Sequence, residues 1–195
     1  RPISAKHAQA SRFLQQSPLD GTYSFLSNAG AARIRGFEAE AFLRPAPGLQ
    51  FTLAANYNDA KLSEDQVNSN IRAAGVKGDR IPFIPHWSGS VGMEYTVPVG
   101  ASTSLFTRLD ANYVGSSYSE FRPNNVYRRK VEAYTLVNGR AGVEFEDADL
   151  GIYVFVNNIF DKVAINREVQ FSWPGTNFAS SSPPRTVGVN VRKGF

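Results

Sequence analysis

The sequence predicts an all-β fold, an antiparallel transmembrane β-barrel, from two patterns. Apolar and polar residues alternate with a period of two in one segment after another, so each predicted strand has one apolar and one polar face. Short turns and long connections also alternate strictly between these segments. Outer-membrane barrels are built in this way, with short turns at the periplasmic end and long loops outside.

Seven long strands follow from the alternation and from the turn residues that separate its segments. We predict them at Thr22–Arg44, Leu49–Leu62, His86–Val97, Ser102–Tyr118, Tyr134–Glu146, Gly151–Phe160 and Arg185–Phe195. A break in the first of these strands at Asn28–Gly30 would raise the count to eight. Several of the strands exceed the usual five or six residues, as strands that tilt through a bilayer must.

The connections between the strands are of two kinds. Short turns with the expected Pro, Gly and Asp residues are predicted at Pro45–Gly48, Pro98–Gly100 and Asp147–Asp149. Long connections are predicted at Ser63–Pro85, Ser119–Ala133 and Asp161–Pro183. If Phe195 ends at the periplasmic rim, every long connection falls outside the cell and every short turn falls in the periplasm.

Aromatic residues bracket the apolar face of the third predicted strand. Trp87 and Tyr95 share that face, and their spacing corresponds to a height difference of about 19 Å for a strand tilted by roughly 45°. Two such levels are typical of the aromatic girdles on a barrel wall about 25 Å tall. The alternative is a soluble β-sandwich, whose core these rings would fill.

Composition argues against several function classes. The 195 residues include no cysteine, so no disulfide or thiolate metal site is possible. The net charge is +4, but the basic residues are scattered rather than clustered with aromatic residues, which argues against nucleic-acid binding. The two histidines, His7 and His86, lie far apart, and no phosphate loop or nucleophile elbow is present. We therefore predict no catalytic residue, no bound metal and no cofactor.

A set of short motifs, in order along the chain, resembles the strands of TonB-dependent outer-membrane receptors. The segments that carry the resemblance are Asn28–Gly30, Ile34–Glu40, Pro45–Leu49, Asn56–Ala60, Gly78–Pro85, Tyr113–Gly115, Asn138–Arg140, Val156–Lys162, Pro184–Val187 and Phe195. Each motif is weak by itself, whereas the ordered set is specific and spans most of the chain.

The resemblance implies that residues 1–195 are the C-terminal part of a barrel of about 22 strands, with the plug domain and the TonB-binding segment absent from this chain. It implies a place in the outer membrane of a Gram-negative-type cell, in contact with membrane lipid and lipopolysaccharide. The implied protein partners are the TonB complex, through the missing N-terminal part, and the barrel-assembly machinery, through the terminal Phe195.

Five charged residues on the polar strand faces are predicted to point into the water-filled lumen. They are Glu38, Glu40, Glu94, Arg108 and Asp110. Facing lipid, each would cost of order 1 kcal/mol or more. Arg108 can pair with Asp110 on its own strand or with Glu94 across strands, which favours a ladder of charges over a catalytic site.

Two of the predicted outer loops carry residues suited to ligand contact. Basic and aromatic residues of the first are Arg122, Tyr127, Arg128, Arg129 and Lys130. Aromatic residues of the second are Phe171, Trp173 and Phe178. A basic loop can capture an anionic ligand such as a ferric chelate, or contact lipopolysaccharide phosphates. The alternative is that these loops are solvated and bind no ligand.

The function that fits these features is active uptake of a scarce ligand across the outer membrane. An iron–siderophore complex is favoured, with cobalamin or a glycan as other choices. The alternatives are a passive porin-type channel in the same membrane and a soluble β-sandwich binding module. The sequence does not point to an enzyme.

Overall fold

The computed structural model describes residues 2–5, 11–17, 21–27, 31–66, 74–170 and 177–194. These residues form fourteen β-strands, in chain order β1 Pro2–Ala5, β2 Ser11–Ser17, β3 Gly21–Ser27, β4 Ala32–Ala46, β5 Leu49–Leu62, β6 Trp87–Pro98, β7 Thr103–Val114, β8 Ser117–Tyr118, β9 Lys130–Val131, β10 Tyr134–Phe145, β11 Leu150–Asn157, β12 Ile165–Gln170, β13 Asn177–Ser181 and β14 Thr186–Lys193. Over the described ranges, no helix has the length and apolar character needed to cross a membrane.

Eight of the strands form one antiparallel sheet in the order β1-β4-β5-β6-β7-β10-β11-β14. The other six pair as three separate hairpins, β2 with β3, β8 with β9 and β12 with β13. Each hairpin lies within a connection between two strands of the main sheet. The predicted all-β antiparallel fold is confirmed, and neighbours in the main sheet follow chain order, as in a meander.

The first predicted strand, Thr22–Arg44, is wrong as a single element. Residues 21–27 pair with β2 in a separate hairpin, and only β4 joins the main sheet. The eighth strand of that sheet is β1, whose Pro2 pairs with Phe37 of β4. Alternation identifies a strand but not its partner, so it does not show that residues 21–27 and β4 belong to different sheets. The proposed break at Asn28–Gly30 lies outside the described residues.

The predicted strand Ser102–Tyr118 is also too long at its C-terminal end. Strand β7 stops at Val114, and Tyr118 belongs to β8. The Gly115 N–H still donates to Trp87 O at 2.8 Å, which continues the β6–β7 ladder by one residue before the chain leaves it. A Cβ at Gly115 would lie 2.7 Å from the same oxygen, so the chain turns away where only glycine fits.

The strand register separates the side chains of the main sheet into two faces. Residues directly opposite in an antiparallel pair point to the same side, and alternate residues point to opposite sides. Phe37 lies opposite Tyr57, which in turn lies opposite Trp87. Glu94 lies opposite Arg108, on the other side of the sheet. The first set belongs to what we call the apolar face and the second to the polar face.

The two ends of the sheet differ as the connection lengths predict. Short turns join β4 to β5, β6 to β7 and β10 to β11, all at one end. In the first of them Gly48 has φ +75°, and a Cβ there would lie 1.9 Å from Thr96 O, so the turn requires glycine. Lys193, which departs from the apolar pattern of β14, bends back so that its Nζ donates to Ala148 O in the third turn.

The opposite end is covered by the long connections, and most of the buried side chains lie there. Connection 63–86 folds back on β5, where Leu62 N donates to Asp79 O at 2.9 Å and Ile81 N donates to Ala60 O at 3.0 Å. Ala60 and Leu62 are buried beneath it. The core of this open sheet is therefore small and concentrated at one end, while most of both sheet faces stays accessible.

Asn158 holds three chain segments together at this end. It is 5% exposed and has a left-handed φ of 53°. Its Nδ2 donates to Lys162 O and to Pro183 O, both at 3.0 Å, and its Oδ1 accepts from Lys162 N at 2.9 Å. Its own N–H donates to Asn138 Oδ1 at 2.9 Å. The motif Val156–Lys162 therefore ties β11 to β10 and to the chain that enters β14.

We expect Asn158→Ala to destabilise the folded protein by about 3 kcal/mol, because three side-chain hydrogen bonds are lost from a buried position. The shift in the urea unfolding midpoint of the full-length protein in detergent measures the effect. Asn157→Ala is the matched control, since the neighbouring Asn157 side chain is exposed. Equal midpoint shifts for the two variants would contradict this account of the motif.

Candidate functional site

Arg108 is the centre of an ion-pair cluster on the polar face. Its Nε lies 2.8 Å from Asp110 Oδ2, and one terminal nitrogen donates to Asp110 Oδ1 at 2.9 Å. The other terminal nitrogen lies 3.2 Å from Glu94 Oε2 on β6. This bidentate geometry orients Arg108 along its own strand while bridging to the next. The predicted pairing of these three residues is confirmed.

A second cluster lies beside the first, centred on Arg140 of β10. Arg140 is directly opposite Arg108 in the register. Its guanidinium lies 3.8 Å from the ring centre of Tyr153 and 5.7 Å from that of Phe106. These cation–π contacts stabilise the guanidinium in spite of the like charge of Arg108 opposite it. The Tyr153 hydroxyl donates to Glu144 Oε1 at 2.5 Å, which completes a continuous polar strip from β6 to β11.

Glu38 lies at the other edge of the polar face, on β4. Asn56 Nδ2 donates to its Oε1 at 2.9 Å, and Asn58 Nδ2 donates to Asn56 Oδ1 at 2.6 Å. Glu40 shares this face by register, opposite Ala54. The five residues predicted to face the lumen thus lie on one face of one sheet. Whether that face borders the lumen stays a prediction.

The opposite face presents large hydrophobic side chains to the surroundings. Those of this face with more than a third of their surface exposed are Phe37, Leu43, Trp87, Val91, Tyr95, Leu105, Leu109, Tyr113, Phe145, Ile152, Val154, Val187, Val189 and Val191. A contiguous surface of this size is typical of a membrane or protein contact and not of a free soluble domain. The eight strands form one sheet rather than two packed ones, so the β-sandwich alternative is wrong.

Aromatic rings mark two levels of this apolar face. At the loop end, the Phe37 and Tyr57 ring centres are 5.7 Å apart, and those of Tyr57 and Trp87 are 4.9 Å apart. At the turn end, Tyr95 and Phe145 are exposed. Strand geometry thus gives the banded arrangement expected of a barrel wall that faces lipid.

The basic loop 115–133 at the covered end uses its arginines to hold its own shape. The Arg128 guanidinium lies 3.5 Å from the Tyr118 ring centre, and its Nε donates to Glu120 O at 3.3 Å. Arg129 donates to Val126 O at 3.0 Å. Tyr127 N donates to Asn125 Oδ1 at 2.9 Å, which tightens the turn. Two of the predicted ligand contacts therefore also have a structural role.

Arg122 links this loop to connection 63–86. Its Nε lies 3.7 Å from Asp79 Oδ2, and Phe83 N donates to Tyr118 O at 2.8 Å. Burial raises the pKa of the nearby Glu120 carboxyl, because its charged form loses hydration there. Phe171 and Trp173 lie outside the described residues. Phe178 on β13 is 59% exposed.

Sequence reasoning missed several contributors to these clusters. Arg140, Glu144 and Tyr153 were not predicted to act together, because only the pairing of β10 with β11 brings them into contact. Tyr118 was not predicted as the ring on which Arg128 stacks. The sequence does indicate part of this cluster, because Arg140 and Glu144 lie on the same side of one predicted strand. Across the part of the chain that the structure describes, no group of three or more His, Asp or Glu residues is placed to hold a metal ion.

Comparison with known proteins identifies the family. Residues 7–159 match the family model described as TonB dependent receptor-like, beta-barrel. The match covers well over half of the chain. The chain belongs to the TonB-dependent receptor β-barrel family. The sheet is therefore that of an outer-membrane β-barrel, and we expect its apolar face to be the surface that meets lipid.

Relatives within the family are similar at a moderate level. The chain is 28% identical over 170 residues to the pesticin receptor of Yersinia pestis, which covers 87% of this chain and 23% of that protein. The pesticin receptor of Yersinia enterocolitica is 28% identical over the same length. The chain thus spans about a quarter of the length of these curated relatives.

Solved structures share the fold over nearly the whole chain. The ferric yersiniabactin uptake receptor FyuA from Yersinia pestis matches with a TM-score of 0.69 and 24% identity, covering 100% of this chain and 29% of that one. BauA, the ferric preacinetobactin receptor from Acinetobacter baumannii, matches with a TM-score of 0.61 and 19% identity, covering 97% of this chain and 26% of that one.

We expect Leu109→Arg to destabilise the barrel by about 2–4 kcal/mol, because position 109 lies between the two aromatic levels on the lipid face. Urea unfolding of the full-length protein in lipid vesicles measures the loss. Asn112→Arg on the same strand is the control, since Asn112 lies on the polar face opposite Ser90. The face assignment fails if Asn112→Arg is the more damaging variant.

We expect Arg128→Ala to loosen loop 115–133 by about 1–2 kcal/mol, because the ring contact and the hydrogen bond to Glu120 O are both lost. Chymotrypsin cleavage within the loop should become about 5–30 times faster where cleavage tracks the open population. Lys130→Ala is the control, since the Lys130 side chain is exposed and forms a surface ion pair with Glu132. An unchanged cleavage rate in Arg128→Ala would contradict the role assigned to the stack.

Proposed function

We propose that this chain is the closing arc of an outer-membrane receptor that takes up a ferric siderophore, with energy from the TonB complex. The observation that carries the proposal is the match of the whole chain to a ferric yersiniabactin uptake receptor at a TM-score of 0.69. A second siderophore receptor of similar fold supports the same ligand class. Cobalamin and glycans remain the competing ligand classes.

The polar face supports passage of a charged or polar ligand. The Arg108 and Arg140 clusters form a strip of fixed charges and dipoles on the face away from lipid. In the proposed receptor this face borders the lumen and the plug domain, which would belong to the part of the protein that precedes this chain. Of these two cations, Arg108 is paired with two carboxylates, whereas Arg140 is stabilised by the Tyr153 ring.

The outer end supports ligand capture. Arg122, Arg128 and Arg129 would supply cationic groups at the entrance, and Tyr127 would supply an aromatic contact beside them. The exposed Phe178 adds an apolar surface in the loop that follows β11. Phe171 and Trp173 belong to the same connection and stay proposed contacts. A ferric chelate with a net negative charge and an organic scaffold suits both kinds of surface.

The proposal predicts how a strain deleted for the full-length gene grows under iron limitation. Growth on at least one ferric siderophore, with ferric yersiniabactin and a ferric catecholate as the probes, should be lost and restored by the intact gene. Growth on ferric citrate, cobalamin-dependent growth and growth on glycans are measured in parallel. Loss confined to cobalamin or a glycan would overturn the siderophore assignment while leaving the family membership intact.

Energy coupling separates the receptor from a passive porin-type channel. Uptake of the radiolabelled ferric siderophore should fall to background in a strain without TonB, because the ligand must be moved against its gradient. A passive channel would continue to equilibrate the ligand in that strain. Continued uptake without TonB would therefore favour the channel and overturn the proposed mechanism.

A further inference from the structure

Phe83, in connection 63–86, has a backbone conformation that is unusual for its residue type. Its φ is 59°, in the left-handed region that a bulky side chain disfavours. Over the described residues, the other non-glycine residues with positive φ are Asp149, Asn158 and Asp161, whose short polar side chains tolerate this region. A strained conformation of this kind persists only where the surrounding structure holds it, and it occurs often in switch regions.

The sequence around Phe83 concentrates the turn at this residue. Pro82 and Pro85 have a fixed φ, and the residue before each proline is pushed towards extended backbone. Before the turn, Ile81 N donates to Ala60 O at 3.0 Å, which fixes this part of the connection to β5. Phe83 is the residue between the two prolines that neither restriction covers, so the chain reverses there.

Phe83 contacts both of the other outer connections. Its N–H donates to Tyr118 O in loop 115–133 at 2.8 Å. Its ring centre lies 5.1 Å from the guanidinium carbon of Arg167 on β12, which is within the range of a cation–π contact. Strand β12 belongs to hairpin β12–β13, in the connection between β11 and β14. One strained residue therefore joins three connections.

Loop 115–133 is joined to connection 63–86 by further contacts that do not involve Phe83. Arg122 Nε lies 3.7 Å from Asp79 Oδ2, and a Cβ at Gly75 would lie 2.8 Å from the Phe121 ring. These contacts hold the two connections together as a base, against which hairpin β12–β13 rests through Arg167. Removing the Phe83 ring therefore frees the hairpin while the Arg122–Asp79 pair remains.

Tyr118, which accepts the Phe83 N–H, also carries the order of loop 115–133. The Arg128 guanidinium lies 3.5 Å from the Tyr118 ring centre, and Tyr118 pairs with Lys130 in the two-residue hairpin β8–β9. The backbone oxygen of Tyr118 is thus held by Phe83, and its ring is held by Arg128. A change in the Phe83 backbone acts directly on the residue that organises this loop.

We propose that Phe83 mechanically couples the outer connections, so that release of hairpin β12–β13 loosens loop 115–133. Arg167 holds the ring, the ring holds residue 83 in its left-handed conformation, and that conformation aims the N–H at Tyr118 O. When Arg167 leaves the ring, Phe83 relaxes to an ordinary conformation and its N–H turns away from loop 115–133. The outer end of the sheet therefore opens cooperatively, whichever ligand the receptor transports.

Hydrogen–deuterium exchange of the full-length protein in detergent, without any ligand, measures this coupling. Arg167→Ala should speed amide exchange about two- to fivefold in hairpin β12–β13 and also in residues 116–131, the factor expected for loss of an exposed cation–π contact. Asn166→Ala is the matched control, since Asn166 is the exposed neighbour of Arg167 on the same strand. This control should leave the exchange of residues 116–131 unchanged.

Two substitutions of Phe83 separate the role of the backbone from that of the ring. Phe83→Ala removes the ring but keeps a Cβ, so residue 83 should leave the left-handed region, and both the hairpin and loop 115–133 should exchange faster. Phe83→Gly also removes the ring, but glycine adopts positive φ readily. Its N–H should therefore stay on Tyr118 O, so that only the hairpin exchanges faster.

Three outcomes would overturn the coupling. Faster exchange confined to the hairpin in Arg167→Ala would show that the connections open independently. Equal loosening of loop 115–133 by Phe83→Gly and Phe83→Ala would exclude the left-handed backbone as the coupling element. An effect of Asn166→Ala on residues 116–131 as large as that of Arg167→Ala would remove the role of the ring contact. A heat-dependent mobility shift on a denaturing gel verifies that the barrel of each variant is folded.

Discussion

The structure depends on satisfying every backbone hydrogen bond between strands within a lipid environment. An unpaired N–H or C=O in the hydrocarbon layer costs several kcal/mol, so a membrane wall made of strands must be a continuous ladder. Neighbouring strands of the main sheet are paired from β1 to β14, with one register shift between Leu43 and Ala46 of β4. A slip of one residue in any pair would turn that strand's charges towards lipid and its apolar side chains towards water. The register of each strand therefore determines which of its side chains face lipid.

The polar face shows how this constraint shapes the rest of the wall. Arg108 and Arg140 lie directly opposite each other, a repulsive pairing that the register does not allow the protein to avoid. Asp110 and Glu94 neutralise the first, and the rings of Tyr153 and Phe106 flank the second. The polar face therefore carries charged side chains that neighbouring carboxylates or rings stabilise. The same charged surface is the hydrated wall of the ligand path that we propose.

The loop end is stabilised by different interactions from those that stabilise the sheet. Here the backbone is exposed to water, so the chain can leave the ladder and fold over itself, as connection 63–86 does over Leu62. Side-chain contacts then order the chain in place of the ladder: Asn158 bonds to backbone groups of Lys162 and Pro183, and Arg128 bonds to Glu120 O and stacks on Tyr118. The small buried core lies at this end for that reason. Ligand specificity in a receptor would depend on these same loops.

The sequence by itself determined the all-β fold, the alternation of turns and long connections, and the division into polar and apolar faces, because each follows from local periodicity. It placed Glu94, Arg108 and Asp110 together, since two share a strand and the third lies on its neighbour. Tertiary structure alone decided that β3 pairs with β2 and that β1 joins the sheet. It alone brought Arg140 to Tyr153 and Arg33 to Lys61. Cross-strand register depends on which partner a strand finds, and no periodicity within one strand encodes that choice.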